Sequence, residues 1–229
     1  MKLDNSVVLV TGATGGLGQE FVGQALERGA AKVYAAARRD HEWGDQRVVP
    51  IRLDVADPAA IEAAAAAARD VTVLVNNAGI SGPRSLLAGD LDEIRQTFET
   101  NVFGPLALVR AFAPILAANG GGAVLDIHSV LSWLATPGVY SSSKAAFWGL
   151  TNSLRLELAA QGTQVLGAHF AYVDTPMTAH LADVDKSAPD DIARRILDAL
   201  EAGSSEVFAD ATTESVRAGL AGLTSGAFA

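Results

Sequence analysis

The stretch "VVLVTGATGGLG", residues 7–18, decides the fold. Four β-formers run through a threonine into a glycine cluster, and a helical pattern follows. A strand that ends in glycines and opens a helix sets backbone N–H groups beside the positive end of that helix, which suits a pyrophosphate. The same residues also suit a plain strand–helix turn. Two spacings coexist: Gly12, Gly16 and Gly18 read as TGxxxGxG, whereas Gly12, Gly15 and Gly18 read as TGxxGxxG. The rest of the chain has to choose between them.

Working outward, the runs "VVLV", "KVYAAA", "VVPIRL", "VTVLVN", "AVLDIH" and "QVLGAHF" are short and mostly β-branched, and longer helical patterns separate most of them. That is βαβ repetition around a parallel sheet, an α/β doubly wound architecture with helices on both faces. The link "RRDHEWGDQR" between the second and third runs is about as short as a parallel crossover permits, so its helix should be one turn or absent. Asp57 and Pro58 open an alanine-rich helix as cap and first-turn residue. Leu91 to Ala118 and Val139 to Gln161 read as two long helices, followed by a helix over Pro189 to Ala202, a strand in "EVFAD" and a helix over Thr212 to Ala221. No repeat or composition break marks a second domain, so residues 1–229 are expected to form one domain with a frayed tail from 221 to 229.

Composition excludes several classes. The net charge of −9 argues against a nucleic-acid backbone as partner. No uninterrupted apolar run approaches the roughly 20 residues of a spanning helix, so no membrane partner is expected. The absence of cysteine rules out disulfides and thiolate chemistry, and no cluster suggests a metal. The N-terminus enters a strand without a basic or apolar leader, which makes the cytoplasm the expected address.

Three further motifs accompany the glycine cluster: "NNAG" at 76–79 after the fourth strand, Asn101 in "TNVFG", and "YSSSK" at 140–144. Tyr140 and Lys144 are four apart at the start of a helix, which places both side chains on one face. An ammonium near a phenol favours phenolate, so the spacing predicts a tyrosine tuned for proton exchange. In this order the motifs resemble the short-chain dehydrogenase/reductase family over at least residues 7–177. The resemblance implies a single-domain Rossmann-type fold and a nicotinamide cofactor. It selects the TGxxxGxG register, because the family's longer epimerase-like members carry an extra substrate domain.

The family's roles transfer residue by residue. The cofactor set is Gly12, Thr14, Gly16, Leu17, Gly18, Arg38, Asp54, Val55, Asn77, Ala78, Gly79, Tyr140, Lys144, Val173 and Thr175. Asp54 would meet the adenine edge, although an Asp after a strand is also a routine turn residue. Asn76 and Asn77 would steady the sheet beneath the cofactor, with Gly79 leaving room. The catalytic set is Asn101, Ser129, Tyr140 and Lys144: Tyr140 exchanges the proton with the substrate oxygen, Ser129 hydrogen-bonds that oxygen, and Lys144 also holds the ribose. Asn101 would bend its helix and hold a water linking Lys144 to solvent.

The chain departs from the family pattern in three places. His128 stands where a small hydroxyl residue is common, and reads as a packed residue alternating away from the site. Ser129 to Tyr140 spans eleven positions where about thirteen are common, leaving Ser132 as a rival serine. Phe170 and Ala171 replace a usual Pro-Gly before Val173 and Thr175. Few residues separate Thr175 from the next helix, which predicts an open mouth. Leu131, Trp133, Leu134, Tyr172 and Met177 are the expected apolar pocket walls, suited to a neutral hydrophobic ketone or aldehyde; Trp133 and Leu134 packing the short loop is the competing reading.

Ala37 stands where an acid would bind the ribose hydroxyls of NAD, and Arg38 follows, so NADP(H) is the preferred cofactor and NAD(H) the alternative. Two other functions compete with carbonyl reduction: a nucleotide-sensing protein without turnover, and a dehydratase or epimerase using the same tyrosine. The resemblance also implies a homo-oligomer, a dimer first and a tetramer second, built on the two long helices.

Overall fold

The computed structural model describes residues 1–224. Seven strands form one sheet, all parallel: β1 (Val7–Thr11), β2 (Lys32–Ala37), β3 (Val48–Arg52), β4 (Val73–Asn76), β5 (Ala123–Ile127), β6 (Gln164–His169) and β7 (Glu206–Phe208). Their order is β3-β2-β1-β4-β5-β6-β7, so the winding reverses between β1 and β4. In such sheets the crevice beyond the strand ends at the reversal is the natural ligand site.

The helices cover both faces. On one side α1 (Gly16–Glu27) and α6 (Pro189–Glu201) close a core with Phe21, Ile192 and Ile196. On the other, α2 (Pro58–Ala67), α4 (Gly104–Ala118) and α5 (Val139–Leu158) close a second core around Leu74, Phe112 and Leu154. Because both faces are covered, β4 and β5 are buried at every position and read as continuous runs rather than alternating ones. No helix joins β2 to β3, as the short link requires. Asp57 caps α2, accepting from the Ala59 N–H at 2.9 Å, and Pro58 begins it.

The expected helix over Leu91–Ala118 is not regular. It is α3 (Leu91–Phe98), a π turn (Glu99–Phe103) and then α4. By length and composition this run could cross a membrane. Its apolar positions Leu108, Phe112 and Leu116 are instead buried against the sheet. α7 (Ala211–Thr224) follows β7. The tail expected to fray from residue 221 is therefore helical through Thr224, and the remainder of that expectation lies outside the described residues.

Gly104 opens α4 where the helix crosses the segment after β3. A Cβ there would sit 2.5 Å from the Val55 carbonyl oxygen, too close for either backbone to yield cheaply. Gly104→Ala should therefore cost roughly 1–3 kcal/mol, the usual scale of overpacking. Urea unfolding measures this, and an unchanged midpoint would contradict the close approach.

Candidate active site

The glycine turn is built for close approach. Gly12 has φ of +63°, and Gly15 caps α1 without a side-chain hydrogen bond, so the first-turn N–H groups remain open to an anion. A Cβ on Gly18 would overlap the Gly12 carbonyl oxygen, and one on Gly16 would lie 2.8 Å from Thr175 Cγ2. One on Gly15 would lie 3.3 Å from its nearest neighbour, a milder crowding. The spatial demand thus falls on Gly12, Gly16 and Gly18, the TGxxxGxG register.

The turn is fixed to the neighbouring strand ends by side chains. Asn77 Nδ2 donates to the Thr11 carbonyl at 2.8 Å, and the N–H groups of Asn77 and Ala78 donate to Thr11 Oγ1 at 3.0 and 3.1 Å. Asn76 Nδ2 donates to buried Asp126 Oδ1 at 2.8 Å, tying β4 to β5. Asp54 turns one oxygen inward to accept from the Ala56 N–H at 3.0 Å, a turn role, while its second oxygen makes no bond. At Gly79 a Cβ would meet Asn101 Oδ1 at 3.3 Å and Lys144 Nζ at 3.8 Å, so the glycine keeps the space above those groups clear.

Beyond β2 the structure adds residues that sequence reasoning missed. A cleft of about 240 Å³ is lined by Thr14, Ala37, Arg39, His41, Trp43 and Arg52 among others, but not by Arg38. Ala37 and Arg52 are partners across β2 and β3, which brings Arg52 to this end of the sheet. Arg38, Arg39 and Arg52 are all exposed and none has an ion-pair partner among the described residues. A second cleft of about 360 Å³ lies between the segment after Gly79 and α3, lined by Ile80, Gly82, Pro83, Glu93, Gln96 and Thr97.

The catalytic set converges at the start of α5. Lys144 is buried, and its Nζ donates to the Ile127 carbonyl at 2.8 Å while lying 5.7 Å from the Tyr140 ring centroid. Burial pulls its pKa down to about 8, against the opposing pull of Asp126. Burial likewise pushes the Tyr140 phenol up to about 12, and the nearby Ser129 hydroxyl only partly offsets this. The expectation that Lys144 holds the phenol below its usual value is thus not met in the resting site: burial raises the phenol and Ser129 is what opposes it, so Tyr140 carries its proton.

Ser129 caps the 3₁₀ turn Val130–Ser132, its Oγ accepting from the Leu131 N–H at 3.1 Å. Ser132, the rival, is buried with its Oγ unpartnered. Asn101 lies in the π turn. Its Oδ1 accepts from the Ile80 N–H at 2.9 Å, and its Nδ2 donates to the Ile80 carbonyl at 2.9 Å and to Ser143 Oγ at 3.0 Å. Both Nδ2 hydrogens are thus spent, on Ile80 and Ser143, so a relay water could meet Asn101 only at an oxygen, the backbone carbonyl among them. Pro105 has no N–H to offer that carbonyl.

Val173 is buried, and its carbonyl accepts from the hydroxyls of Thr175 and Thr178, while its own N–H makes no bond. Of Val173, assigned to the cofactor by resemblance, the backbone N–H is thus the group left open among the described residues. Leu134, Tyr172 and Met177 are exposed, Leu131 is half-buried, and no helix of the α type intervenes between Thr175 and Pro189. Trp133 is different. It stacks on His169 with ring centroids 4.2 Å apart and meets Phe208 and Trp148 edge-on, with the Arg217 guanidinium 5.4 Å from its ring. It packs the short loop rather than standing as an open wall. His128 is buried, edge-on to Phe147 and held neutral by burial, as alternation along β5 implies.

A phosphate cradle at the sheet's reversal, beside a buried lysine and a protonated tyrosine, defines a nicotinamide-dependent oxidoreductase site. Comparison with known proteins agrees. The family model for short chain dehydrogenases matches residues 6–186. The chain is 36% identical over 192 residues to short-chain dehydrogenase ptmH of Penicillium ochrochloron, covering 76% of this chain and 68% of that protein. It is 28% identical over 239 residues to the NADP-dependent 3-hydroxy acid dehydrogenase of Schizosaccharomyces pombe, covering 91% and 92% of the two chains. A short chain dehydrogenase of Burkholderia cenocepacia, crystallised with NADP, superimposes with a TM-score of 0.92 at 36% identity, covering 96% of this chain and 94% of that one. The chain belongs to the short-chain dehydrogenase/reductase family and is an NAD(P)-dependent oxidoreductase.

The two shifted groups leave opposite marks on stability. Between about pH 8 and 10.5 the unfolded chain keeps a proton on Lys144 that the folded chain has lost, so this group makes stability rise with pH. Tyr140 acts in reverse between 10.0 and about 12, where the folded chain keeps its proton longer and stability falls as pH rises. Lys144→Met should therefore lose roughly 1–2 kcal/mol of stability relative to the unsubstituted protein on going from about pH 7.5 to about pH 9.5. Urea unfolding of both proteins across that range checks it, and a pH-independent difference would contradict the depressed lysine.

Proposed function

We propose that this chain is an NADP(H)-dependent reductase that interconverts neutral, hydrophobic ketones or aldehydes and their alcohols. The observation that carries the proposal is the resting protonation of Tyr140 beside Ser129. A phenol pushed up to about 12 carries its proton at neutral pH but is a weaker acid than free tyrosine, so giving that proton to a carbonyl oxygen needs the Lys144 charge to favour the phenolate as substrate binds. When bound, the nicotinamide supplies the hydride. Ser129, whose Oγ accepts from the Leu131 N–H, would turn its hydroxyl proton from the Tyr140 oxygen to the substrate oxygen. Lys144, buried and aimed at the strand end, holds the ribose, and its charge steadies the phenolate left behind. Asn101 fixes Ile80 so that the floor under Gly79 does not move. Leu131, Leu134, Tyr172 and Met177 offer apolar walls for the substrate.

The choice of NADP(H) rests on the unpaired arginines around Ala37. Ala37 brings no carboxylate to the cleft although Asp40 does, and Thr14, Arg39 and Arg52 on the same lining would hold a 2′-phosphate against it. The Burkholderia cenocepacia structure with NADP and the Schizosaccharomyces pombe relative named as NADP-dependent support this reading. A homodimer through the face of α4 and α5 is part of the same proposal, supported by exposed Phe103 at the start of α4 and Leu156 on α5.

Tyr140→Phe should bind NADPH normally and lose turnover by about a hundredfold, the scale expected for removing a general acid. Steady-state assays with a panel of neutral and anionic carbonyl compounds would test this, and near-normal turnover by the folded variant would overturn the assignment. Arg39→Ala combined with Arg52→Ala should weaken NADPH by about tenfold or more and leave NADH almost untouched, because each removed guanidinium faces only the 2′-phosphate. Fluorescence titration of both cofactors measures it; equal losses for the two would contradict the placement of the phosphate.

A further inference from the structure

His169, the last residue of β6, is fully buried and has no part in the chemistry described above. Its Nδ1 lies 3.2 Å from the carbonyl oxygen of Ser129. A carbonyl only accepts, so this contact requires a proton on Nδ1. The other acceptor site of that carbonyl takes the Ser132 N–H at 3.0 Å from within the 3₁₀ turn. His169 thus anchors the carbonyl side of the Ser129–Val130 peptide, whose N–H side is held by the Phe170 carbonyl at 2.9 Å. The same imidazole grips the far end of the turn as well, because Trp133 stacks on its face at 4.2 Å and 23°. On its outer side, Nε2 faces Glu206 Oε1 at 3.7 Å, and that carboxylate is itself held by Trp148 Nε1 at 2.8 Å. One ring thus holds both ends of the short segment whose first hydroxyl is Ser129, in a loop of eleven positions from Ser129 to Tyr140 that has little slack.

We propose that His169 is a positioning residue for catalysis: its Nδ1–H, bonded to the Ser129 carbonyl, sets the place of the Ser129 hydroxyl relative to Tyr140. The proposal rests on the reading of Ser129 as the group that hydrogen-bonds the substrate oxygen. Two substitutions separate the hydrogen bond from the packing. His169→Phe keeps a ring to stack on Trp133 and removes the donor. His169→Asn keeps an N–H at the δ position and removes the ring.

The proposal expects His169→Phe to lower kcat by about tenfold or more, the effect of a misplaced reacting group, while the NADPH Kd stays within about twofold. It expects His169→Asn to keep kcat within about threefold, even if its Tm falls. In a Ser129→Ala background, adding His169→Phe should cost nothing further, since it acts through the serine. Circular dichroism and NADPH titration establish that each variant folds. A folded His169→Phe with normal kcat, a His169→Asn that loses as much kcat as Ser129→Ala, or losses that multiply in the double variant would each overturn the inference. Should His169→Phe fail to fold, the kcat of His169→Asn decides alone. If Ser129→Ala itself keeps normal kcat, it is the catalytic role of Ser129 that falls, a result distinct from failure at His169.

Discussion

One buried ammonium constrains the whole site. Lys144 has no ion pair among the described residues, is almost wholly out of water, and is held by a single hydrogen bond to the Ile127 carbonyl at the end of β5. Burying such a charge is costly, as its lowered pKa records, and buried Asp126 in the same strand offsets part of the cost from a distance. The surroundings follow from this placement. Glycine at position 79 leaves Nζ and the Asn101 amide facing an open space, where a Cβ would lie 3.3 Å from Asn101 Oδ1. Asn101 has to leave the regular helical path, through the π turn, for its amide to reach Ile80 and Ser143 at once. Asp126 in turn needs Asn76 and Thr151 as donors to its two oxygens. A stabilising core would not choose this arrangement; a site that needs a charge beneath a bound ribose would.

Much of this was legible in the sequence, for reasons that can be named. The glycines mark backbone crowding that only the missing Cβ relieves, and the Tyr140–Lys144 spacing follows from one helical turn. Strand ends carry Asn76, Asn77 and Ser129, so a parallel sheet gathers them automatically. What stayed hidden depended on pairings between distant segments. Arg52 reaches the cofactor cleft through the register of β2 on β3, which no local pattern encodes. Trp133 reads as a pocket wall by proximity to Ser129, yet its partners come from β6, α5, β7 and α7. The resting state of Tyr140 reverses the sequence-level expectation because burial, a property of the whole fold, raises the phenol.

The departures from the family pattern share a physical theme. The β2–β3 link lacks a helix, the Ser129–Tyr140 loop is short, and little stands between Thr175 and α6. Each shortening is met by side-chain packing. Trp133 and His169 secure the loop after Ser129, and Gly138, with φ of +101°, lets the loop turn against the Pro83 carbonyl before α5 begins. Asp210 Oδ2 receives the Ala171 N–H at 2.7 Å and holds the segment where the usual Pro-Gly is replaced. The result is a small scaffold whose floor at the start of α5 is tied down by these side chains.

The central claim is that this floor supports hydride transfer to a neutral carbonyl rather than nucleotide sensing alone. The direct measurement uses NADPH carrying deuterium at the transferable position, incubated with the protein and a panel of hydrophobic ketones and aldehydes, with the products analysed by mass spectrometry. The account predicts an alcohol bearing one deuterium on the former carbonyl carbon. Tight NADPH binding with no labelled alcohol from any member of the panel would contradict it.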